Sequence, residues 1–310
     1  SHWGFMGKVF FMNNKIPWMY FIQERELFPH RDYPLFLPLY ETLAYKFIGN
    51  FDDRLVKIFL SLLFINFVFH FVAMALSDKH APFFVMGIVL FILTLPEYFI
   101  YLSNGYADFP FSYFSLVSIF FLNSFLKNKT RDSLILSSYF LGLCMWTKKE
   151  GLVWLVVILV LFYLCRKKID GIYLFYILSS FVWITPLLLV HWVLGVGSSY
   201  EINIYYFLKF FLPFLRDFFI HLGKLFIDFK NWHLFWIMVL LSGLFIKLYK
   251  KEECLYSKSL IWYLSLIFLI LFILGPSEKL GYRFYLVNTL RRFFLHMTGV
   301  GAFIILESIK

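Results

Sequence analysis

Asp108 is a carboxylate with no base beside it in its turn. It stands in Ser103-Asn104-Gly105-Tyr106-Ala107-Asp108-Phe109-Pro110, a polar break between two long apolar runs. A lone acid at the end of a membrane helix is costly, and is kept mostly where it faces a cavity and binds or reacts with something. Such a carboxylate can take a proton from a hydroxyl or orient one. A second cluster, Thr147-Lys148-Lys149-Glu150-Gly151, joins two short apolar runs. Its lysines are point charges suited to phosphate. A third, Leu290-Arg291-Arg292-Phe293-Phe294-Leu295-His296, puts Arg292 and His296 on one helical face. That pair can hold phosphate or pyrophosphate. A fourth, His30-Arg31-Asp32-Tyr33-Pro34, gathers an imidazole, a guanidinium, a carboxylate and a phenol before an apolar segment.

Each cluster also has a plain structural reading. Asp108 precedes a helix whose first turn holds Pro110, so it can serve as an N-cap. The Lys148-Lys149-Glu150 turn can be a solvated connection with bases suited to a helix C-terminus. Glu150 is expected to pair with a neighbouring base. Arg291 and Arg292 can snorkel to the interface. The His30–Pro34 stretch can be a polar loop stopped by proline. His70 and His191 read as core groups bonded to their neighbours. Against these stands one topological fact: two lysines in 148–150 run against the positive-inside trend described below.

The elements that must position these groups follow from composition. Of 310 residues, 61% are hydrophobic and 15% charged, with 43 phenylalanines; the mean hydropathy is +0.75. Soluble domains carry nearer a quarter charged residues. No soluble core of this size hides so much apolar surface, so lipid must take it up. No polar stretch is long enough for a separate soluble domain. Cys144 and Cys165 fall in apolar spans and Cys254 in a charged loop, which suggests free thiols rather than a disulfide framework. The chain begins Ser1-His2-Trp3-Gly4-Phe5-Met6. It shows no basic n-region or cleavage site of a signal peptide. The expectation is a truncated N-terminus with at least one span upstream.

A bilayer core needs about 20 apolar residues as helix. Nine runs qualify: 55–76, 81–102, 109–126, 133–147, 151–165, 171–194, 232–249, 258–275 and 293–308. The runs 133–147 and 151–165 are short, so their charged turn is expected below the bilayer surface, against protein or a wet cavity. One set of alternate loops is basic: Lys79; Lys127, Lys129 and Arg131; Arg166, Lys167 and Lys168; Lys247, Lys250, Lys251 and Lys258; and Lys310. The positive-inside rule assigns that set to the cytoplasm. Residues 1–54 and the loops 103–108, 148–150, 195–231 and 276–292 then lie outside, and all four clusters fall on that face. Residues 34–48 and 205–230 read as interfacial helices, the second amphipathic with a break at Pro213. The fold expected is all-α: one polytopic transmembrane bundle over 1–310, with 1–54 as first outer loop and 195–231 as an outer amphipathic segment. The net charge of +10 reflects basic loops facing anionic headgroups, not nucleic-acid binding. No repeat of 20–50 residues, Walker loop, zinc or calcium spacing, or G-x-S-x-G elbow is present.

The chain resembles the integral-membrane GT-C glycosyltransferases, in particular the family 39-like bacterial mannosyltransferase and aminoarabinose-transferase relatives. The resemblance is carried by Gly105-Tyr106-Ala107-Asp108-Phe109-Pro110, then Leu141-Gly142-Leu143 leading into Thr147-Lys148-Lys149-Glu150-Gly151-Leu152. Trp3 to Lys8 and His30-Arg31-Asp32-Tyr33-Pro34-Leu35 to Pro38 look like that group's first outer loop. Trp232, Trp236 and Asn288-Thr289-Leu290-Arg291-Arg292 to His296 match its late segments loosely.

The resemblance implies transfer of a sugar from a polyprenyl-phosphate carrier to a glycan, lipid or protein acceptor, at the extracytoplasmic face of the cell (inner) membrane. The family's usual catalytic acid, just after its first span, would fall upstream of Ser1, so the chain from Ser1 onward lacks it. On this reading Asp108 orients the acceptor, Lys148 or Lys149 and Arg291 or Arg292 hold phosphate, His296 supports them, and His30, Asp32 and Tyr33 lie near the donor sugar. Glu150 pairs with a base. The sequence requires no cofactor, though a carboxylate such as Asp108 is a ligand type for Mg²⁺ or Mn²⁺. Two other classes compete. A transporter or flippase predicts ionisable groups near mid-span and broken helices related by repeats. A non-catalytic assembly partner needs neither Asp108 nor Lys149.

Overall fold

A computed structural model of the chain describes residues 2–17, 33–164, 204–250, 254–274 and 282–310, together with Tyr176 and Val182. The described residues are helical, with no strand among them. In chain order the helices are α1 (His2–Asn13), α2 (Phe36–Ile48), α3 (Val56–Ser77), α4 (Pro82–Leu93), α5 (Pro96–Ser103), α6 (Asp108–Asn128), α7 (Arg131–Thr147), α8 (Glu150–Leu164), α9 (Ile204–Phe226), α10 (Phe229–Trp232), α11 (Phe235–Phe245), α12 (Leu255–Leu274), α13 (Tyr282–His296) and α14 (Thr298–Ile309). A wider π-type turn, Ile246–Lys250, continues α11.

Helices α3 and α6 are each long and apolar enough to cross a membrane. Two further spans result if each bent pair counts as one: α4 with α5, bent by 58°, and residues Leu286–His296 of α13 with α14, bent by 50°. The run 81–102, expected as one span, is therefore two helices. Its break falls at Thr94-Leu95, where Pro96 opens α5; a proline cannot donate the bond that would carry the helix through. The run 293–308 likewise begins earlier and breaks at Met297. Helices α7 and α8 occupy the two short runs, and α11 and α12 most of the next two. The run 171–194 lies outside the described residues except for Tyr176 and Val182.

The chain forms two compact units, Ser1–His70 with Phe99–Ser199, and Phe71–Tyr98 with Tyr200–Lys310. In the first unit the tightest seam joins α6 to α7. Small polar residues are buried on both helices: Ser112, Ser115, Ser118, Ser137 and Ser138 have no exposure. Small side chains let helix backbones approach, and each hydroxyl needs an internal acceptor where water is absent. Ser137 Oγ donates to the Ser118 carbonyl at 2.8 Å, and Trp154 Nε1 of α8 donates to Ser118 Oγ at 2.8 Å. Aromatic edges tie α3 to α6, with Phe64 against Phe109 at 5.5 Å and Phe67 against Tyr113 at 5.8 Å. His70 Nδ1 is hydrogen-bonded to the Tyr113 hydroxyl. Helix α1 crosses α2 at Gly7, where an added Cβ would meet Glu41 Cβ at 3.0 Å.

In the second unit α11 packs on α14 at Gly301, where a Cβ would stand 2.9 Å from Val239 Cγ2. Trp236 meets Phe294 edge-on at 4.7 Å. Helix α9 runs on through Pro213 instead of breaking there. A proline removes one bond but need not end a helix whose neighbouring turns are held by packing. Phe214 and Phe218, which follow it, are buried, and Phe218 meets Phe268 of α12 at 4.9 Å. The helix is amphipathic as expected, with Lys209, Arg216 and Lys224 exposed, and Asp217 is the exception among its polar residues. Asp217 is buried and accepts two bonds from Arg216, at 3.0 and 3.1 Å, while Leu208, Leu212 and Phe219 are exposed. Exposed apolar side chains of this kind are suited to lipid, which cannot solvate an acid.

Candidate functional site

Asp108 owes its position to the turn before it. Gly105 adopts φ 66°, a backbone region open to glycine, and reverses the chain after α5. Ala107, not Asp108, is the N-cap of α6; Asp108 is the first helical residue. Pro110 sits in the first turn, where its missing N–H leaves no bond unmade. The Asp108 carboxylate thus lies at the positive end of the helix dipole with no exposure to solvent.

Lys148 reaches it from the other side of the seam. Helix α7 ends at Thr147, and Lys148 takes an extended conformation, its N–H bonded to the Cys144 carbonyl at 3.1 Å. Its Nζ donates to Asp108 Oδ1 at 2.8 Å. Glu150 Oε1 lies 3.3 Å from the same ammonium. Side-chain exposures are 1% for Lys148, 0% for Asp108 and 21% for Glu150. The buried Lys148 ammonium is therefore met by one fully buried acid and one partly exposed one, and such pairing is what makes a buried charge tolerable. Gly151 makes the tight reversal possible. Its N–H bonds the Lys148 carbonyl at 3.0 Å, and an added Cβ would stand 2.5 Å from the Cys144 carbonyl oxygen and from Met145 Cα.

Lys149, next in the turn, is half-buried, and its Nζ stands 5.0 Å from the centroid of the Tyr33 ring, a cation–π contact. Trp3 of α1 meets the same ring edge-on at 5.3 Å. Asp108, Lys148, Lys149, Glu150 and Tyr33 thus converge within the first unit. His30 and Asp32 lie outside the described residues. A largely apolar groove of about 440 Å³ runs between α2 and α7, lined by Phe36, Leu39, Tyr40, Tyr139, Leu143 and Trp146 among others. Its α7 wall ends at Trp146, two residues before Lys148.

The remaining candidates belong to the second unit. Arg291 donates to Asp228 Oδ2 at 3.0 Å. The pair lines a small pocket of about 100 Å³ with His221 and Lys224. Arg292 is half-buried. His296 is fully buried, and its Nδ1 is bonded to the Tyr263 hydroxyl at 2.7 Å. Glu97, 3% exposed, lies within electrostatic reach of Arg291 and Asp228. Neither acid is among the site residues expected from the sequence: Asp228 reads there only as a polar group of the interfacial 205–230 segment, while Glu97 follows a proline that breaks a span, which is a usable signal.

One further acid stands apart from these clusters. Glu41 of α2 is 3% exposed, and its Oε2 has no hydrogen-bond partner among the described residues. Burial pushes its carboxyl from the ordinary 4.5 up to about 8. It is a buried group that keeps its proton near neutral pH.

Compared with known protein families, with curated proteins and with solved structures, the chain has no match.

Proposed function

We propose that this chain is a membrane glycosyltransferase that moves a sugar from a polyprenyl-phosphate carrier to an acceptor hydroxyl at the extracytoplasmic face. The observation that carries the reading is the Asp108–Lys148–Glu150 group, whose lysine follows by two residues the last groove-lining residue, Trp146. Its support is chemical. The acceptor hydroxyl attacks the anomeric carbon and gives up its proton to a base, while the bond from that carbon to the phosphate oxygen breaks. The leaving group is the anionic polyprenyl phosphate, which needs a cation beside it. The groove suits the polyprenyl tail by its lining and by its nearness in the chain to the lysine turn.

Roles divide by electrostatics. Lys148 is already matched by two carboxylates, so it orients Asp108 and does not serve as the main phosphate ligand. Lys149, on the half-buried side of the turn and over Tyr33, is the phosphate ligand in this reading. Asp108 orients the acceptor. An Mg²⁺ or Mn²⁺ ion at Asp108 Oδ1 would have to displace the Lys148 ammonium.

The test is sugar transfer from radiolabelled polyprenyl-phosphate sugars by membranes carrying the full-length protein. Asp108→Asn and Lys149→Ala are run alongside. Loss of transfer in variants that insert at normal levels supports the reading. Normal transfer in both variants, or neither transfer nor lipid-phosphate binding by the wild type, sinks it. The reading of a transporter or assembly partner then stands.

A further inference from the structure

The turn after α3 carries a second group of chemically competent side chains, in the second unit. Helix α3 closes with a pattern of reversed bonds: the Lys79 N–H goes to the Leu76 carbonyl at 2.9 Å and the His80 N–H to the Ala75 carbonyl at 3.1 Å. Lys79 adopts φ 64°, the left-handed conformation that such a helix end requires. That reversal brings Asp78 and His80, two residues apart, toward one place, and leaves Lys79 between them exposed. Pro82 then starts α4, and so fixes the chain on the far side of the turn. Glu307 arrives from the last helix, α14, where Phe303 packs its ring edge-on to the His80 imidazole at 6.3 Å.

The donor atoms of Asp78, His80 and Glu307 all lie within 4.8 Å of one another. His80 Nε2 is 3.6 Å from Glu307 Oε1. Two ligand atoms about 2.1 Å from one tetrahedral ion lie about 3.4 Å apart, so this pair already has a ligating spacing. A second observation points to a ligand. The His80 side chain is 2% exposed, and its Nε2, aimed at the acids, has no hydrogen-bond partner among the described residues. A buried ring nitrogen in that state is unfavourable unless something satisfies it.

We propose that Asp78, His80 and Glu307 form a binding site for a divalent transition-metal cation, Zn²⁺ in the first instance. An imidazole nitrogen favours Zn²⁺ over the hard cations Mg²⁺ and Ca²⁺, which take oxygen alone. Two carboxylates cancel the charge of a divalent ion, so its burial carries no net charge. Three protein ligands leave a fourth position for water or a small anion. The basic residues at these two segments, Lys79 and Lys310, belong to the loop set assigned to the cytoplasm, so the ion would be drawn from that side. The proposal does not depend on the transfer reaction.

The experiment uses the full-length protein in lipid nanodiscs, with any affinity tag removed and metal stripped by chelator. Zn²⁺ is titrated calorimetrically, and bound metal is counted by mass spectrometry after desalting. One Zn²⁺ per chain is expected, with affinity falling at least tenfold in Glu307→Gln and in His80→Gln. X-ray absorption of the Zn²⁺-loaded wild type needs no variant, and is expected to show one imidazole nitrogen and carboxylate oxygens about 2.0–2.2 Å from the metal. Absence of stoichiometric Zn²⁺ in the wild type overturns the proposal. So does unchanged affinity in both variants, or a sulfur ligand in the absorption spectrum. If His80→Gln fails to fold, Glu307→Gln and the absorption spectrum decide.

Discussion

Lys148 Nζ stands 2.8 Å from Asp108 Oδ1, with neither side chain exposed by more than 1%. The two residues are 40 positions apart and end opposite sides of the seam between α6 and α7. Removing one partner of a buried pair leaves the other charged and dry, at a cost of about 3–5 kcal/mol. Lys148→Gln therefore lowers the thermal midpoint in detergent, because the buried Asp108 carboxylate loses the ammonium that stands 2.8 Å from it. Asp108→Asn with Lys148→Gln regains much of that loss, since two neutral groups can bond across the same gap. Sugar transfer does not return with it if Asp108 orients the acceptor. Stability and transfer recovering together would make the pair a structural staple only.

Gly151→Ala tests the reversal itself. The new methyl must move the end of α7, because backbone atoms stand 2.5 Å away. Overpacking of this kind costs about 1–3 kcal/mol. The expected result is a lowered thermal midpoint and, under the transfer reading, loss of activity with Lys148, Lys149 and Glu150 all intact. A midpoint within a degree of the wild type would show that the turn tolerates a side chain.

Glu41 gives the structure a pH dependence. Its folded carboxyl titrates at about 8 and its ordinary value is 4.5. Between those values the folded state holds more of the proton than the unfolded state does. Its contribution to stability is therefore complete below about 4.5 and is lost as pH rises through 8. The slope approaches roughly 1.4 kcal/mol per pH unit at most. Glu41→Gln, neutral at every pH, is expected to flatten the fall of the thermal midpoint between pH 5 and pH 9. Parallel profiles for the two proteins would mean that another group sets the dependence.

Arg291 separates two roles. If it holds lipid phosphate, Arg291→Ala weakens binding of a polyprenyl phosphate by tenfold or more, while Asp228→Ala leaves binding intact or strengthens it. If the ion pair only ties α9 and α10 to α13, both changes cost stability alike, about 1 kcal/mol for a pair this exposed. Lipid-phosphate binding measured beside thermal midpoints distinguishes the cases.

The apolar groove makes a prediction about donor length. Leu143→Trp narrows it from the α7 wall. Under the transfer reading, KM rises severalfold for a long-chain polyprenyl donor and stays the same for a donor truncated to one or two isoprene units. An equal rise for both donors would place the tail elsewhere.

Much of the helix layout was legible in the chain because its causes are local. Apolar runs, Pro82 and Gly105 act on their own backbone, so α3, α6, α7 and α8 start and end close to where the runs do, and α4 starts there. The break at Pro96 was written in the same way, yet a hydrophobic run of sufficient length concealed it. Pro213 shows the reverse: a local breaker overruled by the packing of Phe214 and Phe218. Glu150 had a base beside it in the turn, so its pairing with Lys148 was readable by proximity.

The partners of the costly charges were not readable. That Asp108 meets Lys148, that Arg291 meets Asp228, and that His80 faces Glu307 across more than two hundred residues depends on how helices pack, and periodicity along one helix carries no information about its neighbour. By itself the sequence determined that the chain is helical, rich in apolar runs and sparing with charge, because water and lipid act on every residue separately. Only the tertiary structure decided which charges neutralise one another, because a buried charge is tolerated only beside a partner that the fold itself brings.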